Sequence, residues 1–203
     1  MSDETSLARI RGHLSGLHAV IAVAMIALGV FGKSATETFR YERALVLDGE
    51  YWRLISAHFV HGSLHHLVLN LLGLVLVTAL FARDYPLRGW LLIIGLSLGA
   101  IDIGFVFYQP QLDWYVGYSG VLHGILAAGA VAWWMRGPAA MALALSAVLI
   151  GKLAWEQWQG ALPLSGDLPV VVDAHLYGAL GGFVAASILW VCRQPWLSRP
   201  RSL

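Results

Sequence analysis

The chain has 203 residues, of which 58% are hydrophobic and 12% charged, and its mean hydropathy is +0.68. A soluble domain carries about 25% charged residues, so this composition excludes an ordinary water-soluble domain and reads as an all-α, polytopic membrane protein. A net charge of +1 without a dense basic stretch excludes nucleic acid as a partner, and the single Cys192 excludes an intrachain disulfide.

Taken in chain order, residues 1–16 are polar and mixed in charge, and read as a short tail. The apolar run 17–31 lacks a small-residue cleavage site and reads as a retained span rather than a signal peptide. A long loop, 32–57, carries Glu50-Tyr51-Trp52-Arg53, with Arg53 expected to bond Glu50. A second span, 58–81, is polar at its start and apolar after His66. Residues 83–89 form a short polar turn before a third span, 89–107. The fourth span, 119–135, ends at the breaker Met-Arg-Gly-Pro, 135–138. The fifth span is 139–155, a loop over 157–172 follows, and the sixth span is 173–192. A helix needs roughly 20 apolar residues to cross a bilayer, and fewer where the bilayer thins. The expectation is one compact six-helix membrane domain over 1–203, with a second short tail at 193–203.

Six crossings put both termini on one side. That side collects Arg9, Arg11, Arg83, Arg88, Arg136, Arg193, Arg199 and Arg201, whereas the acids Glu37, Glu42, Asp48, Glu50, Asp113, Glu156, Asp167 and Asp173 fall on the other. The excess of basic residues predicts cytoplasmic termini. The long first loop, Ser119 and His175 then lie toward the outer face.

The chemistry centres on Gly117-Tyr118-Ser119-Gly120, where a loop becomes the fourth span. Amides of a first helical turn lack partners within the helix and favour negative charge. Alone, the motif also fits a capping serine beside packing glycines. A second feature adds weight. Ala174, Gly178 and Gly182 form a small-residue ridge on the sixth span, and Gly120, Gly124 and Ala128 form one on the fourth. Packing these ridges together brings His175 toward Ser119. A neutral imidazole there accepts the serine proton and returns it to the leaving amine. His123, one turn after Ser119, is the competing base, but a side chain on the same helix is poorly placed to flank nucleophile and substrate. Its expected role is supporting.

On the second span His66 and Asn70 share one helix face. Both can donate to a developing oxyanion, with the Ser119 amide as a third donor. Among other polar groups, Asp102 lies inside the third span and is expected in a structural hydrogen bond rather than in a triad. Lys152 and Glu156 are four apart and can pair on one face.

Trp52-Arg53, His66/Asn70, Gly-x-Ser-Gly at 117–120 and Ala-His-x-x-Gly-x-x-x-Gly at 174–182 occur in this order. Together they resemble the rhomboid family of intramembrane serine proteases, over nearly the whole chain. The resemblance implies Ser119 as nucleophile, His175 as general base, and His66 with Asn70 in the oxyanion hole. It implies a two-residue catalytic engine with no third carboxylate, no metal and no cofactor. Candidate supporting residues are His61, His123, Gly117, Gly120 and Gly178. The resemblance also implies an aromatic ring beneath the histidine, for which the fifth span offers only Trp155. Gly-Tyr-Ser-Gly-Val-Leu-His-Gly at 117–124, the compact length and Lys152-x-x-Trp155-Glu156-Gln157 are similar to the bacterial rhombosortases. That similarity implies the bacterial inner membrane as location. It implies transmembrane substrates with a C-terminal sorting tail: a Gly-Gly motif, an apolar helix and a basic end.

Three alternatives stay open at this stage. The first is a general rhomboid protease with other single-span substrates. The second is a non-catalytic rhomboid-like adaptor, although such relatives usually lack the serine or histidine. The third is a metalloprotease built on His58, His61, His65 and His66, which lacks a His-Glu-x-x-His motif. A transporter is disfavoured because no internal repeat is visible.

Overall fold

The computed structural model describes residues 2–162 and 170–192, with side chains from residue 16 onward within them. The side chains of Arg9 and Arg11, the tail carrying Arg193, Arg199 and Arg201, and Asp167 lie outside the described residues.

The chain folds as a bundle of helices. Helix α1 spans Ser2–Val30 and α2 spans Gly32–Phe39. The two are bent by 112° at Phe31, between Gly16–Val30 and Gly32–Phe39. The segment expected as one long loop is mostly structured. Strand β1, Tyr41–Glu42, leads into α3, Arg43–Leu47, and α4, Arg53–Ser56, before a 3-10 turn at Ala57–Phe59. Side chains tie it down. Arg53 Nε donates to Glu50 Oε2 at 2.6 Å and its Nη1 to the Arg40 carbonyl at 2.9 Å, while its guanidinium lies over the Trp52 ring. Arg43 donates to the carbonyls of Phe105 and Val106, pinning this outer layer to the bundle.

The second helix of the bundle, α5, spans Leu64–Phe81, so the polar start expected for it at His58 is instead the 3-10 turn and a linker. Ser63 decides the boundary: its side chain accepts from the His66 amide at 3.1 Å, a helix N-cap. Helix α6 covers Leu87–Ile103 and continues through a π-helical turn, Gly104–Tyr108. Gly104 is required there, because a Cβ would run into the Tyr177 ring. Strand β2, Trp114–Tyr115, pairs antiparallel with β1. Helices α7, Ser119–Arg136, α8, Ala139–Gln159, and α9, Val172–Val191, complete the order.

Among the described residues, α5, α6 with its π turn, α8 and α9 are each long and apolar enough to cross a membrane, and the bent α1/α2 pair adds a fifth candidate. Helix α7, the fourth of six expected spans, is outside this set. The reason lies in its place. It packs against α5, α6, α8 and α9, and most of its surface is buried in protein. A helix that faces protein can carry small and polar residues, whereas one that faces lipid cannot. By contrast Leu72, Val75 and Leu76 of α5 and Leu143, Val148 and Ile150 of α8 are exposed. Such a large exposed apolar surface is a lipid-facing surface.

The core of the bundle is the α7–α9 contact. A Cβ on Gly120 would lie 2.7 Å from the Ala174 carbonyl oxygen. One on Gly178 would strike the Gly120 carbonyl, and one on Gly182 the Gly124 carbonyl. The two small-residue ridges therefore meet backbone to backbone. Gly178→Ala is expected to lower stability by about 1–3 kcal/mol, read as thermal unfolding in detergent. Gly99→Ala, where a Cβ meets nothing within 4 Å, is expected to leave the protein equally or more stable.

Candidate active site

The approach to Ser119 is a strained and tied segment. Gly117 has φ +118°, a region that side chains rarely adopt, and a Cβ there would lie 2.7 Å from His66 Nε2. Its amide donates to the Ala57 carbonyl at 3.0 Å, and its carbonyl accepts from the Tyr115 hydroxyl at 2.6 Å. Burial pushes the Tyr115 phenol up, so it remains protonated and a donor. Helix α7 then starts at Ser119, so the amides of Ser119 and Gly120 have no carbonyl partner within the helix.

The backbone contact between α7 and α9 brings His175 to Ser119. His175 is buried, and its Nε2 lies 2.9 Å from Ser119 Oγ. On the other side of the ring, Nδ1 lies 2.8 Å from Glu156 Oε2. A carboxylate can only accept, so a proton on Nδ1 bonds to Glu156 and the Nε2 lone pair faces the serine hydroxyl. Glu156 Oε1 accepts from Lys152 Nζ at 2.5 Å, and that Nζ lies 3.4 Å from His175 Nδ1. Sequence reading pairs Lys152 with Glu156 but misses the bond from Glu156 to His175. The packing of α8 shows why. The buried residues of α8 are Ala142, Leu149 and Glu156, a narrow stripe with a seven-residue period, and Glu156 is its charged member. A charge on the inward stripe of a membrane helix points to a partner inside.

The ring beneath His175 comes from His123 of α7, not from Trp155. The two imidazoles stack with centroids 4.1 Å apart and an angle of 19°. Half of the Trp155 surface is exposed. His123 Nδ1 lies 2.7 Å from the Ser119 carbonyl, which makes it the donor and holds the ring flat against its neighbour. That bond occupies the nitrogen nearest the serine backbone.

His66 lies with its ring against Gly117, beside the start of α7. Asn70 is buried, and its amide donates to the His66 carbonyl at 2.9 Å. Its Nδ2 is thus engaged within α5. His61 packs edge-on against His66, with centroids 5.0 Å apart. Burial and then the neighbouring His66 lower its pKa to about 3, so His61 is neutral. Asp102 lies 3.4 Å from Nε2 of the buried His58.

Among the described residues, the set able to gather on a metal ion is His123, Glu156 and His175, with ligand atoms within 4.8 Å of one another. His58, His61, His65 and His66 do not converge in such a set. In the geometry present, the Glu156 oxygens bond Lys152 and His175, and His175 bonds Ser119.

The Rhomboid domain matches residues 48–192, from the first outer layer through the end of α9. The chain belongs to the rhomboid family. It is an integral, multi-pass membrane protein of an intramembrane protease-type family. RHOMBOID-like protein 5 of Arabidopsis thaliana is 34% identical over 89 residues. That match covers 43% of this chain and 28% of the plant protein, so the chain aligns with little more than a quarter of its relative. No solved structure matches the chain.

The geometry around Gly117 gives a direct check on the site. Gly117→Ala should cost about 1–2 kcal/mol for the left-handed backbone alone, and it should push the His66 ring aside. A fall in the unfolding temperature with an altered His66 ring resonance is the expected result.

Proposed function

We propose that the protein is an intramembrane serine endopeptidase with Ser119 as nucleophile and His175 as general base. The observation that carries this is the 2.9 Å contact between Ser119 Oγ and His175 Nε2, in a rhomboid chain with a buried imidazole. As Oγ attacks the scissile carbonyl carbon, its proton passes to Nε2 and the carbonyl oxygen becomes an oxyanion. The amides of the α7 first turn, which lack partners within the helix, stabilise that charge, and His66, seated beside Gly117, is a side-chain donor at the start of the helix. Collapse of the tetrahedral adduct breaks the C–N bond, and Nε2 gives its proton to the leaving amine. Water then repeats the sequence on the acyl-enzyme, with His175 again taking a proton. Asn70 supports the hole indirectly, by bonding the His66 carbonyl. His61 packs the far side of His66, and His123 fixes the plane of His175.

The substrate is a transmembrane segment of another membrane protein. A cleft lined by Trp114, Tyr115, Val116, Val170 and Val171 opens beside the approach to Ser119, between β2 and the start of α9. The sequence 117–124 and Lys152-x-x-Trp155-Glu156-Gln157 support C-terminal sorting tails with a Gly-Gly motif as that substrate, and a bacterial inner membrane as the setting. The protein crosses the membrane six times with α7 as the central crossing, cytoplasmic termini and an outward-facing site. Retention of both Ser119 and His175 at bonding distance disfavours a non-catalytic adaptor.

A fluorophosphonate probe tests this reading. Wild-type protein in detergent should label at Ser119, and Ser119→Ala should not. His175→Ala should lower labelling and peptide cleavage by 10²-fold or more, on the scale of general-base catalysis, in a protein that still folds. His66→Ala should lower cleavage by roughly 10–10²-fold, weaker than loss of a sole oxyanion donor because backbone amides remain. Labelling that persists in Ser119→Ala would overturn the assignment.

A further inference from the structure

The rhomboid resemblance implies a serine and a histidine alone, yet the inner end of the imidazole here is not free. We propose that Glu156 and Lys152 act together as a charge-compensated support that orients His175 and holds its proton on Nδ1. This rests on the protease reading above and adds a third and a fourth member to its engine. Both are positioning residues, since each acts through the imidazole.

Three observations carry it. Glu156 is the charged residue in the buried stripe of α8, and its two carboxylate oxygens go to different partners, His175 Nδ1 at 2.8 Å and Lys152 Nζ at 2.5 Å. The Nδ1–H bond leaves the Nε2 lone pair on Ser119, the tautomer that a general base needs. Lys152 reaches the same carboxylate from one turn earlier on the helix and lies 3.4 Å from Nδ1.

The pair solves a problem particular to a dry site. A lone carboxylate in a low-dielectric interior would bind an imidazolium strongly and keep the base protonated. A lone lysine would repel the imidazolium that must form during attack. With both present, the resting imidazole stays neutral and the transient cation still meets a carboxylate. The other groups facing His175 are consistent with this division. Ser119 and His123 of α7 are uncharged partners, and His66 of α5 lies within electrostatic reach. Asp102 of α6 is engaged with His58.

The test uses the full chain in detergent, with fluorophosphonate labelling of Ser119 and peptide cleavage measured across pH. Glu156→Gln should slow both by roughly 10²–10⁴-fold and move the acidic limb of the pH–rate profile down. Lys152→Met should move that limb up by about one unit or more, because the remaining carboxylate favours the protonated base. Glu156→Asp should recover part of the rate. If Glu156→Gln does not fold, the double variant Lys152→Met/Glu156→Gln, which leaves no unpaired buried charge, should show the same loss of rate. Folded variants that label at the wild-type rate overturn the proposal, as do limbs that stay fixed or move the same way. A structural role alone would lower rates without opposite shifts. Histidine nitrogen resonances give a reading independent of activity. The wild-type protein should hold the Nδ1–H tautomer at His175, and Glu156→Gln should lose it. An Nε2–H tautomer in the wild type overturns the support role, whereas wild-type protein that never labels overturns the protease reading instead.

Discussion

Everything at the site depends on one close approach, that of α7 to α9 through glycine. Gly120, Gly124, Gly178 and Gly182 meet the facing backbone where a methyl group would not fit. No hydrophobic force drives one membrane helix against another in lipid, so contact distance and packing decide which helices pair. Removing side chains from both faces lets the helices approach until Ser119, at the first turn of one, bonds His175, in the first turns of the other. A serine and a histidine 56 positions apart become neighbours because nothing stands between their backbones.

The same enclosure explains the polarity of the centre. Helix α7 is surrounded by α5, α6, α8 and α9, so it need not be apolar enough to face lipid. Its neighbours shield a cluster of His66, His123, Glu156 and His175 that would be costly in hydrocarbon. Helix α8 shows the opposite balance: 17% of its apolar window is buried, against 50% for α9. It is a peripheral helix that turns one narrow stripe inward, and the stripe ends in Glu156. The bundle thus delivers a carboxylate to the imidazole while most of α8 remains in contact with lipid.

The outer layer has a separate task. Helices α2 to α4 and the two-stranded β1–β2 pair form a layer tied to the bundle by Arg43, through the Phe105 and Val106 carbonyls, and braced within itself by Arg53 on the Arg40 carbonyl. Through Ala57 and Tyr115 this layer holds both the amide and the carbonyl of Gly117. The strained glycine, two residues before Ser119, is therefore supported from two sides. This layer and the approach to Ser119 are one connected structure.

The amino-acid sequence by itself determined the helical membrane character, the ends of most helices, and the ridges that pair α7 with α9. Those are local properties: apolar length, breakers such as Gly137-Pro138, and residue size at a four-residue period. The ordered motifs singled out Ser119, His175 and His66 as candidates for the same reason, since each sits at a helix start or on a definable face. Tertiary structure decided the rest. Periodicity cannot say that the first loop is folded, because short helices of four to eight residues are stabilised by packing rather than by propensity. It cannot say that His123 lies flat on His175, or that Asp102 belongs to His58, because those contacts cross between helices. Above all, the sequence paired Glu156 with Lys152 along one helix, whereas its second oxygen faces an imidazole on another. Which group a buried carboxylate meets is set by how helices rotate against each other, and only the packed bundle fixes that rotation.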